Sequence, residues 1–369
     1  MNKRILANRL RPGMVLAENI YSLDHKRIIA KQGSVLTEEL ITSLKLQTTI
    51  EVLIVSDSDD DKSAHVAQEN TRAAANAVPS HMEKLRETPV FRQFKKDFED
   101  TFSAFGNRIN DVISSGEEIQ PAELSKPVFT LIHSSSNPSG LFDMLHSLRQ
   151  YSDETYAHSV NVALISNAIG QWMGLPEEEL TLLTQAGLLH DIGKLLVPGN
   201  IIKKPGKLTK DEYVTIQVHP QKGYDLIKNQ NISEHIKNAV LMHHERCDAS
   251  GYPSHLSVDD IDPFARYVAI ADVYDAITSA RVYRDALCPF VAIQILESEG
   301  LQKYDTKAIM TFLSNVVNTY LFNRVRLSDG RIGDIVFINK NHFAKPTVRV
   351  GDEYIDLAQK KDLSIEQII

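Results

Sequence analysis

Two adjacent side chains, His190 and Asp191 in LLHDIGKLLVP, open the chemistry of this sequence. A vicinal His-Asp pair offers an imidazole and a hard carboxylate, both metal ligands, from neighbouring backbone positions. Lys194 follows four residues after His190 and three after Asp191, so a helix would set its cation on their face, where it suits a phosphate. Other candidate ligands recur downstream and upstream. Glu154 and His158 stand four apart in DETYAHSVNVAL, on one face of a helix. His219 lies in VHPQKGYDLI, His243 and His244 in LMHHERCDASGYP, and Asp272, with Asp275 three residues on, in IADVYDAITSARVYR. A single histidine near the end of an apolar run is ordinarily a core or surface residue, and His255, His342 and the histidines before position 150 are read that way. Five histidines and three carboxylates within one helical stretch are different, because burying so many polar groups without a cation would be costly.

The donor types narrow the metal. Imidazole and carboxylate without thiolate suit iron, manganese, nickel or zinc, but not a structural zinc-thiolate knot. Eight ligands exceed what one ion takes while keeping a position open. The expectation is therefore two or three divalent ions sharing carboxylates, with Asp191, next to a terminal histidine, as the natural bridge. Two ions roughly 3.5–4 Å apart can hold a hydroxide and stabilise an in-line displacement at phosphorus.

The elements that must position these residues follow from periodicity. From about 120 to 323 apolar residues recur at i, i+3, i+4 and i+7, as in HSVNVALISNAIGQWMG, LTLLTQAGLLHDIGKLL and ARYVAIADVYDAITSA, which predicts core-facing helices. Residues 1–57 read as a small β-rich domain with one helix over LTEELITSLKL, ended by the charged run DSDDDKS. Residues 58–119 are polar and helix-prone and read as a helical connector, which could support a homodimer. Residues 324–369 alternate around DG and GD turns, as in a small antiparallel sheet. The fold class is mainly α, an all-α central domain (120–323) between small β-rich N-terminal and C-terminal units.

Composition bounds the partners. The 369 residues carry a formal net charge of −8, which argues against gripping a nucleic acid polymer through bulk charge. A metal site can still attract a small anion. Two cysteines, Cys247 and Cys288, with no CxxC, fit a reducing, cytoplasmic setting. No apolar run has the length of a signal core or of the roughly 18–20 residues that span a bilayer, so no membrane partner is expected.

HDIGK, HPQKG, HHERCDASGYP and ADVYDAITSARVYR together resemble the HD-GYP domain, a branch of the HD phosphohydrolase superfamily, over about 145–315. The resemblance implies a phosphodiesterase that hydrolyses the bacterial second messenger cyclic di-GMP to pGpG, GMP or both through metal-bound hydroxide. It implies metal roles for Glu154, His158, His190, Asp191, His219, His243, His244 and Asp272, with iron or manganese favoured and Glu154 pointing to a third ion. Asp191 and Lys194 would be the catalytic groups, Lys194 on a phosphate oxygen. Arg281 and Arg284 would clamp the other phosphate, Tyr252 would face a base or ribose, and Asp275 would position Arg281 or touch substrate. Two positions depart from the family run: Ala249 stands where Gly is usual, placing a Cβ where φ above zero would be required, and Ala280 replaces a polar residue. The alternatives are a non-catalytic cyclic-dinucleotide receptor, a phosphodiesterase for another cyclic dinucleotide, and a simpler HD-type nucleotidase.

Overall fold

The computed structural model describes residues 2–6, 10, 13–21, 28–37, 40, 51–55, 81–135, 137–148, 155–202, 204, 206, 208–279, 286–360 and 362–369. The chain divides into two compact units, Met1–Val78 and Pro79–Ile369.

The first unit is built from β1 (Asn2–Leu6), β2 (Ile20–Tyr21), β3 (Ile28–Ala30) and β4 (Glu51–Val55). β1 pairs antiparallel with β4, and β2 with β3. Leu16, Leu36, Val52 and Ile54 form its small apolar core. Most of the helix expected over LTEELITSLKL lies outside the described residues.

The second unit is helical, with one sheet. Its helices are α1 (His81–Glu87), α2 (Pro89–Ser115), α3 (Pro121–Ser134), α4 (Pro138–Leu148), α5 (Thr155–Met173), α6 (Glu177–Leu189), the short α7 (Gly199–Ile202), α8 (Lys210–Gln217), α9 (His219–Ile227), α10 (Glu234–Met242), α11 (Pro263–Thr278), α12 (Pro289–Lys303) and α13 (Thr306–Asn318). A 3₁₀ turn, Ile192–Leu196, follows α6. None of the described helices is long and apolar enough to cross a membrane.

α5 lies at the centre. Val160, Val162, Ala163, Leu164 and Ile165 are all buried, and a helix apolar on every side must be enclosed by others. α6 and α11 pack along it. The stretch read as a connector does more than connect. Thr88 caps α2 by accepting from the Phe91 amide, Pro89 occupies its first turn, and Gly116 ends it in the left-handed region. Phe91, Phe94, Phe98, Phe105, Ile109 and Val112 then fall on one stripe and enter the same core as α5.

The tail forms a five-stranded antiparallel sheet in the order β8-β7-β6-β5-β9, from β5 (Arg324–Leu327), β6 (Ile332–Phe337), β7 (Thr347–Val350), β8 (Glu353–Asp356) and β9 (Ile365–Ile368). It is not a separate core. Alternating inward residues Val325, Leu327, Ile335, Val348 and Ile355 join the helical cluster. The boundary at 119 therefore falls between two helices, and that at 323 between helix and sheet, inside one compact unit.

Candidate metal centre

The site is built largely at helix ends, where backbone carbonyls lack helical partners. His190 caps the C-terminus of α6, and its Nδ1 lies 2.8 Å from the Gly187 carbonyl oxygen. His243 caps α10, with Nδ1 3.0 Å from the Val240 carbonyl. His219 opens α9, with Nδ1 2.7 Å from the carbonyl of Ile216. A carbonyl can only accept, so each Nδ1 carries the proton and each Nε2 presents a lone pair. His158, in the first turn of α5, directs Nδ1 to Asp275 Oδ2 at 2.7 Å. Four rings are thus locked with Nε2 facing inward.

Those nitrogens converge on two carboxylates. Asp191 Oδ1 lies 3.1 Å from His219 Nε2 and 3.6 Å from His243 Nε2. Its Oδ2 lies 3.3 Å from His190 Nε2 and 3.6 Å from His158 Nε2. Asp272, on α11, sets Oδ1 3.1 Å from His158 Nε2 and Oδ2 3.9 Å from His244 Nδ1. Two groups of potential ligands result: Asp191, His219, His243 and His244, and His158, His190 and Asp272. Glu154 lies outside the described residues.

The arrangement fits metal ions on its own chemistry. His190 Nε2 and Asp191 Oδ1 are buried without a hydrogen-bond partner. His219 and His243 bring two Nε2 atoms within 3.2 Å, although both lone pairs point into the gap. Ligands sharing one ion at about 2.0–2.2 Å each sit roughly 3–3.5 Å from one another, as these atoms do. Orphaned acceptors converging on a buried point call for a cation.

Electrostatics keeps the ligands in their binding forms. Burial opposes ionisation of Asp191, but His190 and Lys194 outweigh it and hold the carboxyl well below its usual range. Asp272 is likewise held low against burial, chiefly by His158 and His244. Burial pushes His243 down to about 4 despite Asp191, and burial with His243 nearby pushes His244 down as well. Anionic carboxylates and neutral imidazoles are what a divalent ion needs.

A crossing of two glycines brings the HDIGK and HPQKG segments together. A Cβ on Gly193 would overlap the His219 carbonyl, and one on Gly223 would stand 3.1 Å from the Gly193 amide nitrogen. At this spacing Asp191, at the start of the 3₁₀ turn, sets Oδ1 against His219 Nε2.

The remaining expected residues divide. Lys194 ion-pairs with Asp191 Oδ2; the helix expected through this segment stops at His190, and the 3₁₀ turn aligns residues three apart. Asp275 is buried, and its oxygens accept from Asn161 Nδ2 at 3.0 Å and Ser279 Oγ at 2.8 Å as well as meeting His158. Its observed contact is thus a metal-candidate histidine. The tyrosine ring of Tyr252 stacks on His244, with centroids 4.7 Å apart and planes at 28°. Burial, with Tyr213 and Asp272 nearby, raises its phenol, which stays a donor. Ala249 adopts φ 61°, the left-handed conformation expected to require Gly. Arg281, Arg284 and Ala280 lie outside the described residues. Sequence reasoning passed over Asn161, Ser279 and Glu245; the first two stand one helical turn from His158 and Asp275, the available signal.

Residues 141–308 match the model of the HD domain family. That stretch holds both ligand groups, and its HHE and GYP segments lie within it. The chain is 35% identical over 215 residues to a cyclic di-GMP phosphodiesterase of Pseudomonas aeruginosa, covering 58% of this chain and 51% of the relative. It is 37% identical over 161 residues to a cyclic di-GMP phosphodiesterase response regulator of Xanthomonas campestris pv. campestris, covering 43% of each chain. A 3′3′-cGAMP-specific phosphodiesterase of Vibrio cholerae is 36% identical over 165 residues, covering 44% of this chain and 31% of that one. The chain thus spans at most about half the length of these relatives.

Proposed function

We propose that this chain is a metal-dependent phosphodiesterase that hydrolyses cyclic di-GMP to pGpG, GMP or both. One observation carries the reading. The two oxygens of Asp191 divide between two buried ligand groups, Oδ1 toward His219 and His243 and Oδ2 toward His190 and His158. A carboxylate so divided is suited to bridge two ions, and Asp272 repeats the pattern on the other side. The names of the relatives add that cyclic dinucleotides are what such domains act on.

His158, His190, His219, His243, His244, Asp191 and Asp272 would hold the ions, and Glu154 would add a ligand for a third. A set without thiolate suits iron or manganese. Bound there, the ions would polarise the phosphodiester and acidify the attacking water. The protein's own groups do the rest. Gly187, Ile216 and Val240 carbonyls hold three rings in the required tautomer, and Asp275 holds the fourth; such outer partners fix ring orientation and raise ligand basicity. Lys194, beside Asp191, offers a cation to a phosphate oxygen and to the charge that develops in the transition state. Tyr252 offers an aromatic face and a protonated hydroxyl at the rim. Arg281 and Arg284 would clamp the second phosphate.

The test is turnover. Protein purified anaerobically and supplied with iron or manganese should convert cyclic di-GMP to pGpG or GMP on a chromatogram, with 3′3′-cGAMP run beside it. Preference for 3′3′-cGAMP would change the substrate. No hydrolysis of either by fully metallated protein would leave a cyclic-dinucleotide receptor as the better reading.

A further inference from the structure

Next to His244, a carboxylate stands in the interior with no metal-ligand role. Glu245 is 2% exposed. Among the described residues no cationic side chain forms an ion pair with it, although a buried carboxylate needs compensation. Backbone amides supply that compensation. Its Oε1 accepts from the Ser254 amide at 2.6 Å, and its Oε2 from the Leu256 amide at 3.1 Å. Hydrogen bonds to an ionised acceptor are about twice as strong as neutral ones.

The amides it holds belong to the GYP loop, which folds back on its own start. The Tyr252 amide donates to the His244 carbonyl at 3.2 Å, and Ala249 donates to the Arg246 carbonyl at 2.8 Å. Gly251 presses so close to the Glu245 backbone that a Cβ there would overlap it. Asp248 and Ser257 close the far end in an antiparallel bridge. Glu245 therefore sits inside a ring of chain running from His244 to Ser257, gripping its returning strand. The part of that ring facing the ligand groups is Tyr252, stacked on His244 and only half-buried.

We propose that Glu245 is a positioning residue for substrate: by gripping the Ser254 and Leu256 amides it fixes the loop that lays the Tyr252 ring against His244 as an aromatic wall for a nucleotide base or sugar. Glu245 touches neither substrate nor ligand group and acts through Tyr252. The proposal rests on the phosphodiesterase reading for the identity of the substrate, but not for the grip itself.

Glu245→Gln keeps the shape and breaks the grip. A Gln oxygen can accept from one amide, while its NH₂ group meets the other amide donor to donor. In the metal-loaded full chain, E245Q should keep its metal content and raise hydrogen exchange at the Ser254 and Leu256 amides. It should raise KM roughly tenfold, the equivalent of one charge-assisted hydrogen bond, with less effect on kcat. Tyr252→Ala should raise KM without opening those amides, and adding E245Q to Y252A should cost little more. Unchanged exchange in E245Q, an equal further loss on the Y252A background, or loss of metal along with KM would overturn the proposal. Should E245Q fail to fold, Y252A alone decides, and an unchanged KM overturns it. If the unaltered protein turns over no cyclic dinucleotide, the phosphodiesterase reading falls, and exchange at Ser254 and Leu256 still judges the grip.

Discussion

At the scale of the residue, the site depends on which nitrogen of each histidine carries its proton. His190, His219 and His243 spend Nδ1–H on carbonyls of their own or a neighbouring turn, so Nε2 is left as a ligand without any titration. The residue types were legible in the sequence, because His and Asp recur in a definite order. Their tautomers were not, since the anchors are backbone groups with no side-chain signature. Asp275 shows the same limit: its partner His158 lies 117 positions upstream, so only the fold joins them. A pH dependence follows. His243 holds its proton less tightly in the folded protein, at about 4 against 6.5. Between those values the unfolded chain binds the proton and the folded one does not, so stability rises with pH across that window. Metal-free protein should therefore lose stability as pH falls from about 6.5 toward 4, by up to ~3 kcal/mol from this group. A melting temperature flat across that window would contradict it. Ala249 makes a second case. A non-glycine residue at φ 61° costs on the order of 1 kcal/mol, so Ala249→Gly should hold or slightly raise the melting temperature despite the added freedom of Gly. A clear drop in melting temperature would mean the alanine methyl has a packing role.

At the scale of the element, helix ends and one close crossing do the assembling. Helical periodicity predicts that α5, α6 and α11 exist and that their apolar sides face a core. It does not predict that α6 stops at His190 and gives way to a 3₁₀ turn, a change that puts Lys194 on Asp191. Nor does it reveal that the glycines of HDIGK and HPQKG meet. Gly193→Ala should be costly, because its new Cβ would strike the His219 carbonyl and backbone cannot yield as a side chain can. We expect a destabilisation of roughly 1–3 kcal/mol or more and a loss of metal affinity, read by denaturant unfolding and elemental analysis. Normal stability with a full metal complement would show that the crossing is looser than described.

At the scale of the whole molecule, the second unit is one body in which sheet and helices share a core. Alternation and turn residues revealed the tail strands. Their inward residues Val325, Leu327, Ile335, Val348 and Ile355 could equally have packed on a core of their own, and a five-strand count does not say which. The α2 stripe was similarly hidden by the polar residues around it. Deleting 324–369 should therefore expose part of the helical core and give an aggregating or poorly folded product, visible by gel filtration and circular dichroism. A truncated chain with native helicity and a sharp melting transition would restore the tail to independence. We propose that this body organises two ion positions around a single shared carboxylate, Asp191. Elemental analysis of Asp191→Ala, purified anaerobically beside the unaltered protein, tests it most directly. The unaltered protein should carry two or three ions per chain, whereas the variant should lose more than one and all cyclic di-GMP hydrolysis while its helical circular dichroism persists. A variant that keeps its full metal content, or still hydrolyses cyclic di-GMP, would contradict the bridge.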